Sequence, residues 1–326
     1  MNKFEYSVSI RTLGKGGDKF KKELESLHAQ TIKPKHIYVC IAEGFQRPEF
    51  QVGYEEYISV PKGLVHQRGA SADIVEEDFI LILDDDVYFP KDAVEKMYAI
   101  LKENKADAVA PDTFPNHEMS LKEKIKARLA NDVRWRSNDN WAIKIEPNGT
   151  FSYNNNPRKG GVYLTQSAAG PAVFIKTKVF KDIHYKDEYW VDTFPAGSLG
   201  EDQIMFYKIF RNGYKLMMQY DAGIIHLDAS TNKASQKTYE KLYYRAMAQY
   251  LIWYRCCYGV NGISEEERSC CKRAYRFRFL LGGMVRLAFS ILKLDVKYIK
   301  AHVRGYKDAK KYADSKEYQA VPNFII

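Results

Sequence analysis

Three consecutive carboxylates, Asp84–Asp86, directly follow five apolar residues, Phe79–Leu83. An uninterrupted apolar run of that length predicts a strand that is buried on both faces of a sheet. Open α/β sheets bind their ligands at the carboxyl ends of such strands. Because neighbouring carboxylates repel one another, Asp84 and Asp86 could share a divalent cation with the oxygens of a diphosphate. A solvated, aspartate-rich turn is the alternative interpretation.

Two further sets of residues that could act in catalysis or bind a metal lie in the second half of the chain. Glu201 and Asp202 stand where a helix is predicted to begin, so they could cap free backbone N–H groups, or Asp202 could act as a general base toward a hydroxyl. His226 ends an apolar stretch. It could be structural, or its neutral imidazole could complete an oxygen-rich metal site.

Polar residues also follow the first strands of the predicted sheet. Thr12 comes after the first strand and Glu43 after the second, and Arg68 lies in a short predicted helix. Glu43 could accept a hydrogen bond from a base or a ribose hydroxyl, and the planar guanidinium of Arg68 could bind a diphosphate. Each of these residues, taken alone, could equally be a surface charge.

The elements that must position these residues alternate between strand and helix over the first 110 residues. This alternation with short connections predicts a doubly wound, mostly parallel sheet flanked by helices. The predicted strands are 6–12, 36–42, 57–60, 79–83 and 106–110. The predicted helices are 19–29 (capped by Asp18), 64–75 and 90–103.

The alternation of predicted strands and helices is less regular after residue 110. It predicts a helix over 121–129 and a polar, glycine-rich loop over 152–161, of the kind that is often functional. Strands are predicted at 172–175, 215–219 and 222–226, and a helix is predicted to start at 200–202. The remainder is expected to be helical over 236–258 and 264–316, with a break at Gly282-Gly283.

Short motifs over residues 6–228 resemble, in their order and spacing, those of the family 2 glycosyltransferases, which have the GT-A fold. The corresponding stretches are Ser26–Pro34 (S-x-x-x-Q-T-x-x-P), Gly63–Gly69 (G-x-x-x-x-R-N), Leu83–Asp86 (D-x-D), Ala169–Phe174 (the acceptor-side strand), Glu201-Asp202 (E-D) and His226, 24 positions after Asp202. Gly69 replaces the usual Asn, and Ile41–Gly44 replaces the common D-D-G-S, which leaves the contact of Glu43 with a base open.

This resemblance implies a metal-dependent enzyme that transfers a sugar from a nucleoside diphosphate, with UDP favoured, to a glycan or lipid-linked acceptor and inverts the anomeric centre. It implies Asp86 and His226 as ligands of Mn²⁺ or Mg²⁺ and Asp202 as the general base. The residues expected to bind the donor are Thr12, Glu43, Arg68, Asp84, Asp85, Gly170 and Glu201. The pathway implied is the synthesis of a cell-surface polysaccharide.

The positive charge of the chain is concentrated near its C-terminus. Residues 232–326 contain 19 Lys and Arg against 8 Asp and Glu, a balance of +11, which leaves −2 for residues 1–231 out of a total of +9. We therefore expect a GT-A catalytic domain over 1–231 (nucleotide-binding half 1–110, acceptor half 111–231) and a basic helical extension over 232–326. Within the extension, residues 268–316 combine apolar and basic residues and are predicted either to contact an anionic membrane surface or to pack on the catalytic domain.

The sequence also predicts a cellular location and leaves two alternative functions open. The first residues carry no signal-peptide pattern, which predicts a cytoplasmic protein, including one held at the inner face of the cell membrane. A sugar-phosphate nucleotidyltransferase is one alternative, because Gly14–Gly17 faintly resembles a phosphate loop. A basic nucleic-acid-binding protein is the other, but the charge is confined to the C-terminal part and no recognised nucleic-acid module is present, so no nucleic-acid partner is expected.

Overall fold

A computed structural model describes residues 4–113, 120–131, 133–136, 140–155, 157–195, 199–227 and 238–326. Its strands are β1 (Tyr6–Thr12), β2 (Ile37–Ala42), β3 (Glu55–Val60), β4 (Phe79–Asp84), β5 (Val87–Tyr88), β6 (Ala108–Pro111), β7 (Arg134–Arg136), β8 (Ile143–Ile145), β9 (Phe151–Asn154), β10 (Val162–Leu164), β11 (Ala172–Lys176), β12 (Leu216–Gln219) and β13 (Ile225–His226).

The α-helices are α1 (Asp18–His28), α2 (Leu64–Gly69), α3 (Ala93–Glu103), α4 (Leu121–Asn131), α5 (Thr177–Asp182), α6 (Glu201–Arg211), α7 (Thr238–Trp253), α8 (Glu265–Leu292), α9 (Lys297–Ala313) and α10 (Lys316–Gln319). Short 3-10 helices cover Ala70–Asp73 and Tyr185–Thr193, and a π-helical turn over Tyr254–Tyr258 follows α7.

The central sheet has eight strands in the order β10-β12-β6-β11-β4-β1-β2-β3. β4 pairs in parallel with β1, which pairs in parallel with β2, and β2 pairs in parallel with β3. β11 is antiparallel to β4 and β6, and β10 is antiparallel to β12. The fold class predicted from the sequence, a mostly parallel α/β sheet flanked by helices with a C-terminal helical part, is confirmed.

β4 separates two hydrophobic cores. Ile80 and Ile82 point into one core, and Leu81 and Leu83 point into the core on the opposite face. Successive side chains of a strand alternate between faces, so a strand that is covered on both sides needs an apolar residue at every position. The continuous run 79–83 therefore encodes a central strand, as the sequence predicts.

Four local predictions are corrected. Strand 222–226 is reduced to Ile225–His226, because Asp221 and Gly223 adopt left-handed conformations that interrupt an extended chain. Helix 64–75 is α2 followed by a 3-10 helix, and part of the predicted loop 152–161 is strand β9. Gly17, not Asp18, occupies the position before α1.

The predicted helix break at Gly282-Gly283 is also wrong, because α8 runs through both residues. A mid-helix glycine costs about 1 kcal/mol relative to alanine, and packing can outweigh that cost. Here His302 of α9 packs over both glycines, and its ring carbons lie 3.5 to 3.7 Å from where their Cβ atoms would be. The helical run breaks instead after Leu292.

The C-terminal helices pack against the core on one face of the sheet. Met247, Trp253 and Phe324 belong to the same buried cluster as Ile80 and Val173 of the central strands. The predicted domain boundary at 231/232 and the end of the resemblance at Asp228 lie outside the described residues, so the two-domain division stays a prediction. Among the described residues, no helix is long and apolar enough to cross a membrane.

Candidate active site

The register of β1 against β4 places a cation beside the first carboxylate of the triplet. Arg11 and Asp84 are register partners in the parallel pair. Arg11 Nε donates to Asp84 Oδ1 at 2.5 Å, and Nη2 donates to Oδ2 at 2.9 Å. Burial alone would raise the pKa of Asp84, but Arg11 and Arg68 lower it to about 2, so this carboxylate is charged. Arg11 was not among the predicted site residues, although its place at the carboxyl end of β1 could have indicated it.

Arg68 lies on α2 and is 1% exposed. Its Nη2 donates to Asp84 Oδ1 and to the carbonyl oxygen of Gly170, both at 3.1 Å, and its Nη1 donates to Glu201 Oε1 at 3.4 Å. Arg11 Nη1 lies 3.5 Å from the same oxygen of Glu201. In this conformation the Arg68 guanidinium is occupied by protein oxygens, so its predicted contact with a diphosphate would require it to leave one of them.

Asp86 and His226 are brought together by a small antiparallel pair. β13 pairs with β5 so that His226 lies opposite Val87, and Leu227 N donates to the carbonyl oxygen of Asp86 at 2.8 Å. His226 Nε2 is consequently 3.0 Å from Asp86 Oδ1. The two residues predicted as metal ligands, 140 positions apart in the chain, are thus neighbours.

A divalent ion held by Asp86 and His226 would have two protein ligands. Within the described parts of the chain, no group of three or more His, Cys, Asp and Glu side chains is arranged to hold a metal. One carboxylate and one imidazole nevertheless suit Mn²⁺ or Mg²⁺ when substrate oxygens and water supply the remaining ligands. The residues present therefore fit an ion that is bound together with a diphosphate.

A buried acid lies behind the triplet. Glu23 of α1 is fully buried, and its Oε2 accepts from Val87 N at 3.4 Å. Burial, and then the charge of Asp85, raise the pKa of Glu23 well above its usual value. Asp85 accepts a hydrogen bond from Thr12 Oγ1, and burial raises its pKa as well. Glu23 was missed, although it lies on the apolar face of α1 with Phe20, Leu24 and Leu27.

A first cavity of about 380 Å³ opens at this edge of the sheet. It is lined by Asp84, Asp85, Asp86, His226, Thr12, Arg11, Leu13, Lys15, Gly16, Lys19, Leu64 and Gln67. The predicted residues Asp84–Asp86, His226 and Thr12 therefore share one cavity with cations that were not predicted. Glu43 is exposed after β2 and does not line it.

Glu201 and Asp202 begin α6, as predicted, and line a second cavity of about 650 Å³. Asp202 Oδ1 accepts from the backbone N–H of Gln203 at 2.8 Å. Gly170 packs closely against this turn, because a Cβ atom added to it would lie 2.8 Å from Asp202 Cβ and 3.1 Å from Arg68 Nη2. Only glycine permits that approach without a shift of its neighbours. Burial, and then Asp202, raise the pKa of Glu201 against the influence of Arg68 and Arg11.

One ion-pair network connects the two cavities. Arg11 and Asp84 line the first cavity, Glu201 lines the second, and Arg68 contacts both carboxylates from below. Asp84 of the triplet and Glu201, the chain neighbour of Asp202, are therefore joined through the same two arginines. Among the described residues of the predicted site, only Glu43 lies apart from both cavities and from this network.

Comparison with known proteins identifies a family for part of the chain. Residues 21–157 match the family model described as Glycosyl transferase family 2. No curated protein sequence gives a significant match. The crystal structure of GalNAc-T7 with UDP, GalNAc and Mn²⁺ has a TM-score of 0.50 at 12% identity, over 90% of this chain and 58% of that chain.

A second solved structure is the mannosyltransferase PcManGT from Pyrobaculum calidifontis in complex with GDP-Man and Mn²⁺. It has a TM-score of 0.46 at 11% identity and covers 97% of this chain and 88% of that chain. This chain spans 58% of the length of the GalNAc-T7 chain. At 12% identity, the similarity to GalNAc-T7 shows the fold, which is GT-A.

Proposed function

We propose that this glycosyltransferase, whose residues 21–157 belong to glycosyl transferase family 2, transfers a sugar from a nucleoside diphosphate to a hydroxyl of a glycan or lipid-linked acceptor. UDP is the favoured nucleotide, and synthesis of a cell-surface polysaccharide is the favoured pathway. The observation that carries the proposal is the network Arg11–Asp84–Arg68–Glu201, which connects a cavity lined by Asp86 and His226 with a cavity lined by Asp202.

The first cavity is assigned to the donor. Asp86 and His226 would hold Mn²⁺ or Mg²⁺, which would supply positive charge to the departing diphosphate. Arg11 and Lys15 add fixed positive charge to the same cavity. Thr12 and Asp85 would face the nucleoside, and Glu43 would have to move to reach it.

The second cavity is assigned to the acceptor. Asp202 would take the proton of the attacking hydroxyl, and the backbone of Gly170 would lie beside the donor sugar. Glu201 is held by Arg11 and Arg68, so it orients the network and leaves Asp202 as the carboxylate that accepts the proton. One base and no second nucleophilic carboxylate suit direct displacement, which inverts the anomeric centre.

A thermal-shift panel tests the donor assignment. We expect one nucleoside diphosphate to raise the melting temperature in the presence of Mn²⁺, and EDTA to remove most of that rise. A panel in which no nucleoside diphosphate changes the melting temperature would contradict the proposal. Release of pyrophosphate from a nucleoside triphosphate and a sugar phosphate would instead support the nucleotidyltransferase alternative.

We also propose that residues 268–316 bind an anionic membrane surface, at the cytoplasmic face. One side of α8 is not covered by the rest of the described chain, and Phe277, Leu280, Met284 and Leu287 are each 49% to 65% exposed. Basic residues such as Arg276 and Lys293 border these apolar side chains. Apolar area with surrounding cations is the composition of a helix that lies in a membrane interface.

Flotation with liposomes of anionic lipid tests this assignment. A chain truncated before α8 would lose part of the shared core, so substitution is the better test. Phe277→Ser combined with Leu280→Ser and Met284→Ser should reduce flotation strongly. Tyr54→Ser, which changes an exposed aromatic residue elsewhere, should leave it unchanged. Equal flotation of the triple variant and the unaltered protein would contradict membrane binding by this face.

A further inference from the structure

The second cavity has positively charged groups in its wall. Lys241 and Arg245 of α7 and Arg278 of α8 line the same cavity as Asp202. Arg245 is partly buried, and it forms no hydrogen bond or ion pair with any residue that the structure describes. A guanidinium carries five N–H donors in a fork that matches phosphate oxygens. Arg245 therefore offers donors to a ligand in the cavity.

Two further arginines strengthen the positive potential at this wall. Arg278 is 9% exposed, and its Nη1 donates to the carbonyl oxygen of Asn148 at 2.8 Å. Arg286, two turns further along α8, is 8% exposed. Burial, and then the charges of Arg245 and Arg278, lower the pKa of Arg286 to about 10. The three guanidinium groups are thus close enough to repel one another, and a bound anion would relieve that repulsion.

The two acids that line the second cavity have partners within the protein. Glu201 is paired with Arg11 and Arg68 at the network, and Asp202 accepts from the backbone of Gln203. The cavity therefore has a carboxylate region around Asp202 and a cationic region formed by α7 and α8. A ligand with a hydroxyl for Asp202 and an anionic group for the arginines matches this division of charge.

The same wall is partly apolar. Ala248 and Ile252 of α7 line the cavity beside the cations. Leu281, one turn after Arg278 on α8, is exposed and leads to the apolar side of that helix. An anionic group that is attached to a hydrocarbon chain could therefore leave the cavity along α8.

We propose that the second cavity binds a phosphate or diphosphate group of the acceptor through Arg245, Arg278 and Lys241. The group would be that of a lipid-linked diphosphate or of a soluble phosphorylated glycan. This inference rests on the proposed function, because it makes the phosphate the group that positions the acceptor hydroxyl at Asp202.

Calorimetry with inorganic pyrophosphate tests the site. The titration is made in EDTA, because pyrophosphate chelates Mn²⁺ and because the metal-dependent binding expected of the first cavity is then absent. Arg245→Gln should weaken pyrophosphate binding by about 10- to 100-fold, which corresponds to one lost hydrogen bond to a charged group. Lys241→Gln should weaken it less. Arg304→Gln, an exposed arginine on α9 paired with Asp308, should leave it within twofold.

A second arm distinguishes the two sources of phosphate. Farnesyl diphosphate should bind more tightly than pyrophosphate if the acceptor is lipid-linked, and Leu281→Ser should remove that gain. Equal affinities of the two probes would support the anion site with a soluble acceptor. Pyrophosphate that binds Arg245→Gln as well as the unaltered protein, or that does not bind at all, would overturn the proposal.

The test of the anion site can fail independently of the test of the proposed function. Arg245→Gln should keep the thermal shift caused by the nucleoside diphosphate, which shows that the variant is folded and that the donor site is intact. If no nucleotide binds the unaltered protein, the donor assignment fails. The pyrophosphate titration of both proteins without nucleotide still decides the anion site.

Discussion

At the scale of single residues, three adjacent aspartates with the same chemistry acquire three different environments. Asp84 is held by two guanidinium groups, and its pKa falls to about 2. Asp85 is half-buried beside Thr12 and has a raised pKa, because partial burial penalises its charged form. Asp86 faces His226. The 3.0 Å separation of Asp86 Oδ1 and His226 Nε2 supports the proposal that Asp86, and not the arginine-bound Asp84, holds the ion.

Asp202→Asn should separate binding from turnover. The amide keeps the size of the side chain and can still accept from Gln203 N, but it cannot take a proton. We expect donor affinity to remain and turnover to fall by about 10²- to 10⁴-fold, the usual effect of general base catalysis. Steady-state kinetics and calorimetry measure the two quantities. Turnover equal to that of the unaltered enzyme would remove Asp202 from the role of base.

Asp86→Ala should abolish the Mn²⁺-dependent part of donor binding, because it removes the carboxylate that lies 3.0 Å from His226 Nε2. Calorimetry with the nucleoside diphosphate, with and without Mn²⁺, measures this effect. Asp73→Ala is the matched control, since Asp73 is an exposed acid paired with Lys186. A Mn²⁺-dependent gain in affinity that persists in Asp86→Ala would place the ion elsewhere.

At the scale of elements, the short helix α2 positions much of the network. Gln67 Nε2 donates to the carbonyl oxygens of Thr12 and Cys40, which ties α2 to the ends of β1 and β2. The N-terminus of α2 is held by Asp192, which is distant in the chain. Its carboxylate accepts hydrogen bonds from Val65 N at 3.1 Å and from His66 N at 2.9 Å. A six-residue helix is marginal alone, so these contacts decide where Arg68 lies.

Asp192→Ala should therefore act on both stability and the site. Loss of a capping carboxylate costs about 1 kcal/mol of unfolding free energy, and a less ordered α2 should weaken donor binding as well. Urea unfolding and the nucleotide titration measure these effects. Asp187→Ala in the same 3-10 helix is the control, because the Asp187 carboxylate lies 4.0 Å from the exposed His184 ring. Identical stabilities of the two variants would show that Asp192 does not hold α2.

At the scale of the whole molecule, a buried ion-pair cluster connects α6 and the 3-10 helix Tyr185–Thr193 with the π-helical turn that follows α7. Glu188 is fully buried and accepts from Lys208 Nζ at 2.9 Å, from Arg255 Nη2 at 2.7 Å and from Trp190 Nε1 at 2.9 Å. Burial alone would raise the pKa of Glu188, but Arg255 and Lys208 lower it below its usual 4.5. Removing this one charge would leave two buried cations without their shared counterion.

Glu188→Gln should lower the unfolding free energy by about 3 to 5 kcal/mol, the typical cost of removing one member of a buried ion pair. Because the folded-state pKa is depressed, the charged Glu188 stabilises the fold above about pH 4.5, and this contribution is lost as the pH falls through the lower folded value. The unaltered protein should thus lose stability below pH 4.5 more steeply than Glu188→Gln. Denaturant unfolding between pH 3 and 7 measures both effects.

Glu56→Gln is the control for that comparison, since Glu56 is an exposed acid near His36. It should change the unfolding free energy by at most about 1 kcal/mol, as surface ion pairs do. Parallel pH profiles for the unaltered protein and Glu188→Gln would show that Glu188 does not carry the acid sensitivity. An unfolding free energy unchanged by Glu188→Gln would show that the cluster does not stabilise the fold.

Local signals in the sequence determined the central strand, the carboxylates at its end and the start of α6. A continuous apolar run indicates a strand that is covered on both faces. Acids that directly follow such a strand lie at the carboxyl ends of the strands, where α/β sheets bind ligands. The same signals were misleading at Gly282-Gly283, because helix propensity is weak compared with the packing of α9 on α8.

Only the tertiary structure decided which charges meet. Arg11 lies beside Asp84 because of the register of two strands 73 residues apart, and Glu201 joins them through Arg68, 133 residues before it in the chain. Periodicity states which face a residue is on, but it does not state which distant residue faces it. For that reason the sequence alone did not predict the buried Glu23 or the two connected cavities. It also did not predict the proximity of Arg245 on α7 to Arg278 and Arg286 on α8.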